Sequence, residues 1–392
     1  MKKVFVLFLA VAILFSFGTA SFAKTVAKSG AEDFTVTAPD LNLDVKSAVL
    51  MEAVTGTVLY EKNQDEALPP ASVTKIMTLL LVAEAIDEGR ISLDDRVLIS
   101  DNAASMGGSQ VFLEAGEEMT VDELLKCTVI ASANDAAVAL AEQVLGSESA
   151  FVSRMNERAG ELGLKSTSFE NTTGLDDSTT AHLTSAYDIA LMSRELIKHQ
   201  CVMKYSSLWQ DSIRGGEFTL TNTNRLVRYY PGCTGLKTGS TDKAGFCVSA
   251  TAERNGVHLI AVVMGADTRE ARNDAARAML DYGFANHTLY SDAPAPLENI
   301  PVLGGRADGV TAYSAGFSKL LGKGDDKRVL KKYDIPESIT APIAEGEKIG
   351  EIIYTLDGEE IGRADITVRE SVGAISVIEL FARILSHIVL GK

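Results

Sequence analysis

Residues 69–89 read Pro69-Pro70-Ala71-Ser72-Val73-Thr74-Lys75-Ile76-Met77-Thr78-Leu79-Leu80-Leu81-Val82-Ala83-Glu84-Ala85-Ile86-Asp87-Glu88-Gly89. The prolines forbid a helix before Ala71, nothing breaks the run from Ser72 to Glu88, and Gly89 is a natural stop. The spacing therefore predicts one helix with Ser72 in its first turn. Residues three apart share a helix face, which puts the Lys75 amine one turn above the Ser72 hydroxyl. Val73, Ile76, Met77, Leu79, Leu80, Leu81, Val82 and Ile86 make the helix apolar nearly all round, the pattern of a buried helix. The plain alternative is an N-cap serine followed by a solvated lysine. It fits poorly here, because an ammonium on such a helix needs a partner or must lose its proton.

Loss of that proton is the chemical point. A serine hydroxyl is a poor nucleophile at neutral pH unless a base lies within hydrogen-bond reach, and a desolvated lysine beside a second cation can be that base. Lys237 is the candidate second cation, expected with burial to lower the Lys75 pKa. A Ser-x-x-Lys alone is weak, and Ser21 to Lys24 forms another. Two later pieces strengthen it.

The first is Ser132-Ala133-Asn134, between the apolar stretch Leu124 to Ile130 and the Ala-rich run Asp135 to Leu145. It reads as an interhelical corner. Ser132 is placed to relay a proton toward a leaving amine, and the Asn134 amide to hold Lys75 or a substrate backbone; an ordinary helix cap is the alternative. The second is Lys237-Thr238-Gly239, followed by two apolar runs that Asn255-Gly256 separates. That is a strong hairpin signal and predicts antiparallel strands beside Lys237. Gly239 lets a substrate strand approach the backbone, while Lys237 and Thr238 offer a charge and a hydroxyl to a carboxylate. A plain edge strand with a glycine bulge is the other reading.

These three pieces, with Gly235 to Gly245, the segment Phe169-Glu170-Asn171-Thr172-Thr173-Gly174-Leu175 and the hairpin around Val54 to Leu59, resemble the low-molecular-mass penicillin-binding proteins that act as D-alanyl-D-alanine carboxypeptidases. The resemblance runs from about Leu43 to the C-terminus. It implies an α+β, penicillin-binding/β-lactamase-like catalytic domain, an antiparallel sheet with helices on both sides. It further implies that Ser72 is the acylated nucleophile, Lys75 its base, and Ser132 with Asn134 the relay and positioning pair. Lys237, Thr238, Gly239 and Ser240 then bind substrate, with the backbone N–H groups of Ser72 and Ser240 as oxyanion hole. The expected substrate is a peptidoglycan stem peptide ending in D-Ala-D-Ala, β-lactams are expected covalent inhibitors, and no cofactor is implied. Ser240 departs from well-studied members, which carry His there, and Glu52 stands where relatives often have Asp. A class A-like β-lactamase and a non-catalytic penicillin sensor are the rival readings. Glu170-Asn171 matches the deacylating loop of the β-lactamases only in part.

The ends of the chain speak to location. Lys2-Lys3, the apolar run Val4 to Phe17 and Ser21-Phe22-Ala23 form a secretory signal over 1–23, followed by a tail over 24–42. Its apolar core is short of the roughly 20 residues a membrane span needs. From Gly373 to Leu390 the only polar positions are Ser376, Glu379, Arg383, Ser386 and His387, which at helical pitch fall within an arc of roughly 100°. An amphipathic helix over 370–392 is expected to lie on the membrane surface, attaching an exported enzyme to the outer face; packing on its own domain is the alternative. Between the ends, residues 43–288 are expected to form the catalytic domain and 289–369 a small all-β domain, the break falling near His287 to Pro301.

The formal net charge of -16 and the lack of a basic patch argue against nucleic acid as partner. Cys127, Cys201, Cys233 and Cys247 are too few for a disulfide framework, although Cys233 and Cys247 flank the Lys237 strand and either pair or stay free. The five histidines show no metal-ligand spacing and read as surface or packing residues.

Overall fold

The computed structural model describes residues 41–177 and 179–390. The signal segment and nearly all of the tail lie outside the described residues. Five strands form the central sheet: β1 (Ser47–Glu52), β2 (Val58–Lys62), β3 (Cys233–Thr241), β4 (Gly245–Arg254) and β5 (Val257–Ala266), in the order β2-β1-β5-β4-β3 and antiparallel throughout. Asn255 and Gly256 join β4 to β5 with φ of +51° and +78°, the left-handed pair that a tight two-residue hairpin demands. The strands are apolar on both faces because both are covered. Val49, Met51, Ile260, Val262 and Met264 enter the core on one face; Ala48, Leu50, Leu259, Ala261 and Val263 enter a second core on the other.

The larger core is shared with a helical layer containing α1 (Lys75–Asp87), α2 (Val121–Ile130), α3 (Asn134–Leu145), α4 (Glu148–Glu161) and α5 (Ala186–Leu196). On the opposite face α6 (Arg269–Asn286) lies over β4 and β5. Ser72 is not in the α-helix proper. It sits in a 3-10 turn, Ala71–Thr74, that leads directly into α1, the tighter winding common at helix starts. A capping box between Thr120 and Glu123 opens α2, and Ser132, at φ +61°, makes the sharp corner between α2 and α3.

The expected small β domain is a six-stranded sheet followed by helix α7 (Val377–Leu390). Residues His287–Asp292 and Ala295–Leu303, expected as a break, are themselves strands. Pro296 pairs with Tyr313 beside a register shift, the kind of irregularity at which strands tolerate proline. Tyr354 centres this module, stacked on Phe317 at 4.2 Å between centroids and donating its hydroxyl to Asp292 at 2.6 Å. Val372, expected in the C-terminal helix segment, instead pairs with Ile343, and the Ile375 N–H donates to the Gly304 carbonyl. The sheet module thus reaches Ile375 before α7 begins. On α7 the polar stripe is tied back by Glu379 to Arg306 and by Arg383 to Asp308, while Val377, Ile378, Phe381 and Ile388 stay exposed.

Candidate active site

Ser72 is half-buried at the head of α1, and Lys75 beneath it is wholly buried. The Lys75 Nζ lies 3.0 Å from Ser72 Oγ, 2.5 Å from Asn134 Oδ1 and 2.8 Å from the Thr173 carbonyl oxygen. A neutral amine has two N–H bonds and one lone pair. With Asn134 and Thr173 accepting the two N–H bonds, the lone pair is left for the Ser72 hydroxyl proton. Burial lowers the Lys75 pKa well below its ordinary value, the charge of Lys237 lowers it further, and Asp135 pulls the other way. The arrangement is a hydroxyl with a poised base.

Around this pair the three sequence pieces converge. Asn134 is held at both ends: its Oδ1 accepts from Lys75, its Nδ2 donates to the Gly107 carbonyl at 2.6 Å, and its backbone N–H donates to Ser109. Lys237, on edge strand β3, donates to Ser132 Oγ at 2.7 Å and to the Thr238 carbonyl at 3.0 Å. Burial and then Arg272 bring its pKa down to about 7. Thr238 donates its hydroxyl to Thr223 Oγ1 at 2.8 Å. Gly239 serves a close approach by the chain's own Ser72 turn: a Cβ there would stand 2.8 Å from the Ser72 nitrogen and 2.9 Å from both the Pro70 oxygen and the Val73 nitrogen. This contact sets the Ser72 amide beside β3 immediately before exposed Ser240.

Four residues at or behind the site stand outside the three motifs. Asp135 is buried and accepts from the Val111 and Leu113 N–H groups, fixing the loop that carries Gly107 and Ser109. Thr173 supplies a carbonyl rather than a side chain. Arg272, on α6, is buried with no carboxylate partner among the described residues and donates to the Asn273 side chain and the Cys247 carbonyl. His182, read as surface or packing, is buried and lies 2.8 Å from Thr74 Oγ1. The available signal was an acid next to Asn134; Thr173, His182 and Arg272 lie in polar stretches where nothing local sets them apart. The carboxylate of Glu170 accepts from the Thr180 and Ala181 backbone, and among the described residues no carboxylate is bonded to Ser72 or Lys75. All four cysteines are free, Cys233 and Cys247 included.

The family model for D-alanyl-D-alanine carboxypeptidases matches residues 32–268, and that for the C-terminal domain of penicillin-binding protein 5 matches residues 284–374. The chain is 42% identical to the D-alanyl-D-alanine carboxypeptidase DacF of Bacillus subtilis over 98% of each chain. It is 33% identical to DacC of Escherichia coli, covering 92% of this chain and 90% of that one. Penicillin-binding protein 5 from Haemophilus influenzae superposes with a TM-score of 0.72 at 31% identity, over 84% of this chain and 98% of that one. Penicillin-binding protein D2 from Listeria monocytogenes, solved in an ampicillin-bound form, gives a TM-score of 0.58 at 32% identity over 63% of this chain and 100% of its own.

Proposed function

The chain belongs to the D-alanyl-D-alanine carboxypeptidase family of serine peptidases, and on that premise we propose that Ser72 attacks the penultimate D-Ala carbonyl of a peptidoglycan stem pentapeptide. The observation that carries the reading is the Lys75 amine, buried and with both N–H directions engaged, 3.0 Å from Ser72 Oγ. As the Ser72 oxygen bonds to the carbonyl carbon, its proton passes to Lys75 Nζ. The oxyanion that forms faces the Ser72 and Ser240 N–H groups, of which removing one donor typically costs about a hundred- to a thousand-fold in rate. Collapse breaks the C–N bond, the terminal D-Ala leaves as its amine takes a proton through Ser132, and water then releases the acyl group. Lys237, Thr238 and the charge of Arg272 suit the terminal carboxylate.

The test is D-Ala release from a diacetylated Lys-D-Ala-D-Ala tripeptide, together with labelling of Ser72 by benzylpenicillin. Release with a long-lived penicillin adduct is the expected result. Adduct without release would leave a sensor, and rapid penicillin turnover a β-lactamase. The Glu170 carboxylate, taken up by the backbone of its own loop, speaks against the latter.

The enzyme works on the cell wall, outside the cytoplasm, as the family does. Attachment to the outer face of the membrane through α7 is part of the same proposal. No helix among the described residues is long and apolar enough to cross a membrane, whereas α7 presents an exposed apolar face suited to lying in the lipid interface. The six-stranded module carries none of the residues of the site and is proposed as the pedestal between membrane and active site.

A further inference from the structure

His182 lies on the segment leading into α5, out of solvent. The backbone N–H of Glu170 donates to its Nδ1 at 3.0 Å. That nitrogen must therefore carry the lone pair, so a neutral ring has its proton on Nε2, 2.8 Å from Thr74 Oγ1. Burial keeps the ring neutral, holding its pKa at about 4 against the opposing pull of Glu170 and Asp176. Phe169 closes over it edge-on, with 5.8 Å between centroids.

The ring joins two pieces of the active site. On one side is the turn Ala71–Thr74, in which Ala71 takes φ +48°, a conformation that L residues resist and keep only where their surroundings over-determine it. On the other is the loop Glu170–Gly174, whose Thr172 and Thr173 carbonyls accept from Thr78 Oγ1 at 2.7 Å and from Lys75 Nζ at 2.8 Å. The two surfaces meet without slack, since a Cβ on Gly174 would fall 1.8 Å from the Ala71 oxygen. A shift of the loop moves the anchor of the base; a shift of the turn moves the nucleophile.

We propose that His182 is a positioning residue for acyl transfer, a neutral Nε2–H donor that clamps the Ser72 turn to the loop holding the Lys75 amine. The proposal rests on the Ser72–Lys75 reading of the site. A misplacement on the order of 1 Å can cost about a hundred-fold in rate, which sets the scale of the effect.

The experiment measures the acylation rate constant with a fluorescent penicillin at neutral pH, alongside the melting temperature. H182A is expected to acylate at least about tenfold more slowly than the wild type while still reaching complete labelling, and Thr74→Val to do the same. The double variant should be no slower than the slower single one, and Thr74→Ser, which keeps the accepting hydroxyl, should stay within about threefold of wild type. A role in stability alone would lower the melting temperatures and leave the rate of folded protein unchanged. Wild-type acylation in H182A or Thr74→Val, or effects that multiply in the double variant, would overturn the proposal. Because the Thr74 variants probe the same bond from the other side, they decide the matter even if H182A does not fold. A wild type that takes no label at Ser72 would sink the reading of the site instead, so the two failures are distinguishable.

Discussion

On the proposed mechanism Lys75 reacts as the free amine, so acylation should rise with pH as that amine loses its proton and level off once it has. Because burial and Lys237 hold its pKa well below 10.5, the plateau should be reached well before an ordinary lysine would titrate. The neighbours give the sign of each change. Lys237→Gln removes a like charge and should move the limb to higher pH, whereas Asp135→Asn removes an opposite charge and should move it lower; pH profiles of penicillin acylation read both. Lys75→Arg, which cannot deprotonate, should bring labelling below detection. His182 makes a separate prediction about stability. Its pKa falls from 6.5 to about 4 on folding, so as pH drops the unfolded chain takes up the proton first. The stability it contributes is complete above about pH 6.5 and lost by about pH 4, at most about 3 kcal/mol, and denaturant titrations should show that loss in the wild type but not in His182→Gln. Ser72 and Lys75 were legible because their relation is local, three residues apart where a 3-10 turn runs into α1. The partners of Lys75 are 59 and 98 residues away at Asn134 and Thr173, and His182 is 108 residues from Thr74, distances at which no periodicity operates.

Among the elements, β3 was readable from its hairpin partners, yet the reason for Gly239 was not. Pattern reading supplies an edge strand with room for a ligand; the fold adds that the Ser72 turn already occupies that side at backbone contact distance. Gly239→Ala should therefore act on chemistry more than its size suggests. The clashing atoms belong to backbone and cannot swing aside, so acylation should fall by about a hundred-fold, measured against a control substitution elsewhere on β3. The strands at His287–Asp292 and Ala295–Leu303 went unread for the opposite reason: Pro294 between them and Pro296 and Pro301 in the second signal a break, but the first strand ends before Pro294 and a register shift adjoins Pro296.

The whole molecule combines a doubly covered sheet, a strand-rich module and one amphipathic helix. The hairpin of the first and the strand-rich character of the second were legible, since apolar runs with turn residues between them read as sheet, whereas the helices on both faces of the first came only with the family resemblance. The exact seam was not, because Val372 and Ile375 are apolar like the helix beyond them and only long-range pairing assigns them to the sheet module. Removing residues 377–392 should consequently leave the module intact and yield active protein that no longer sediments with anionic vesicles; sedimentation of the truncated chain would exclude α7 as the attachment.

The two ion pairs that tie α7 back, Glu379 with Arg306 and Arg383 with Asp308, lie in water, where added electrolyte weakens them, while contact between hydrocarbon and lipid tails does not depend on it. Holding on and holding upright are therefore separate properties here. With α7 in the lipid interface as proposed, a concentrated salt wash should leave the protein on a bilayer but let it lean, and only detergent should lift it off.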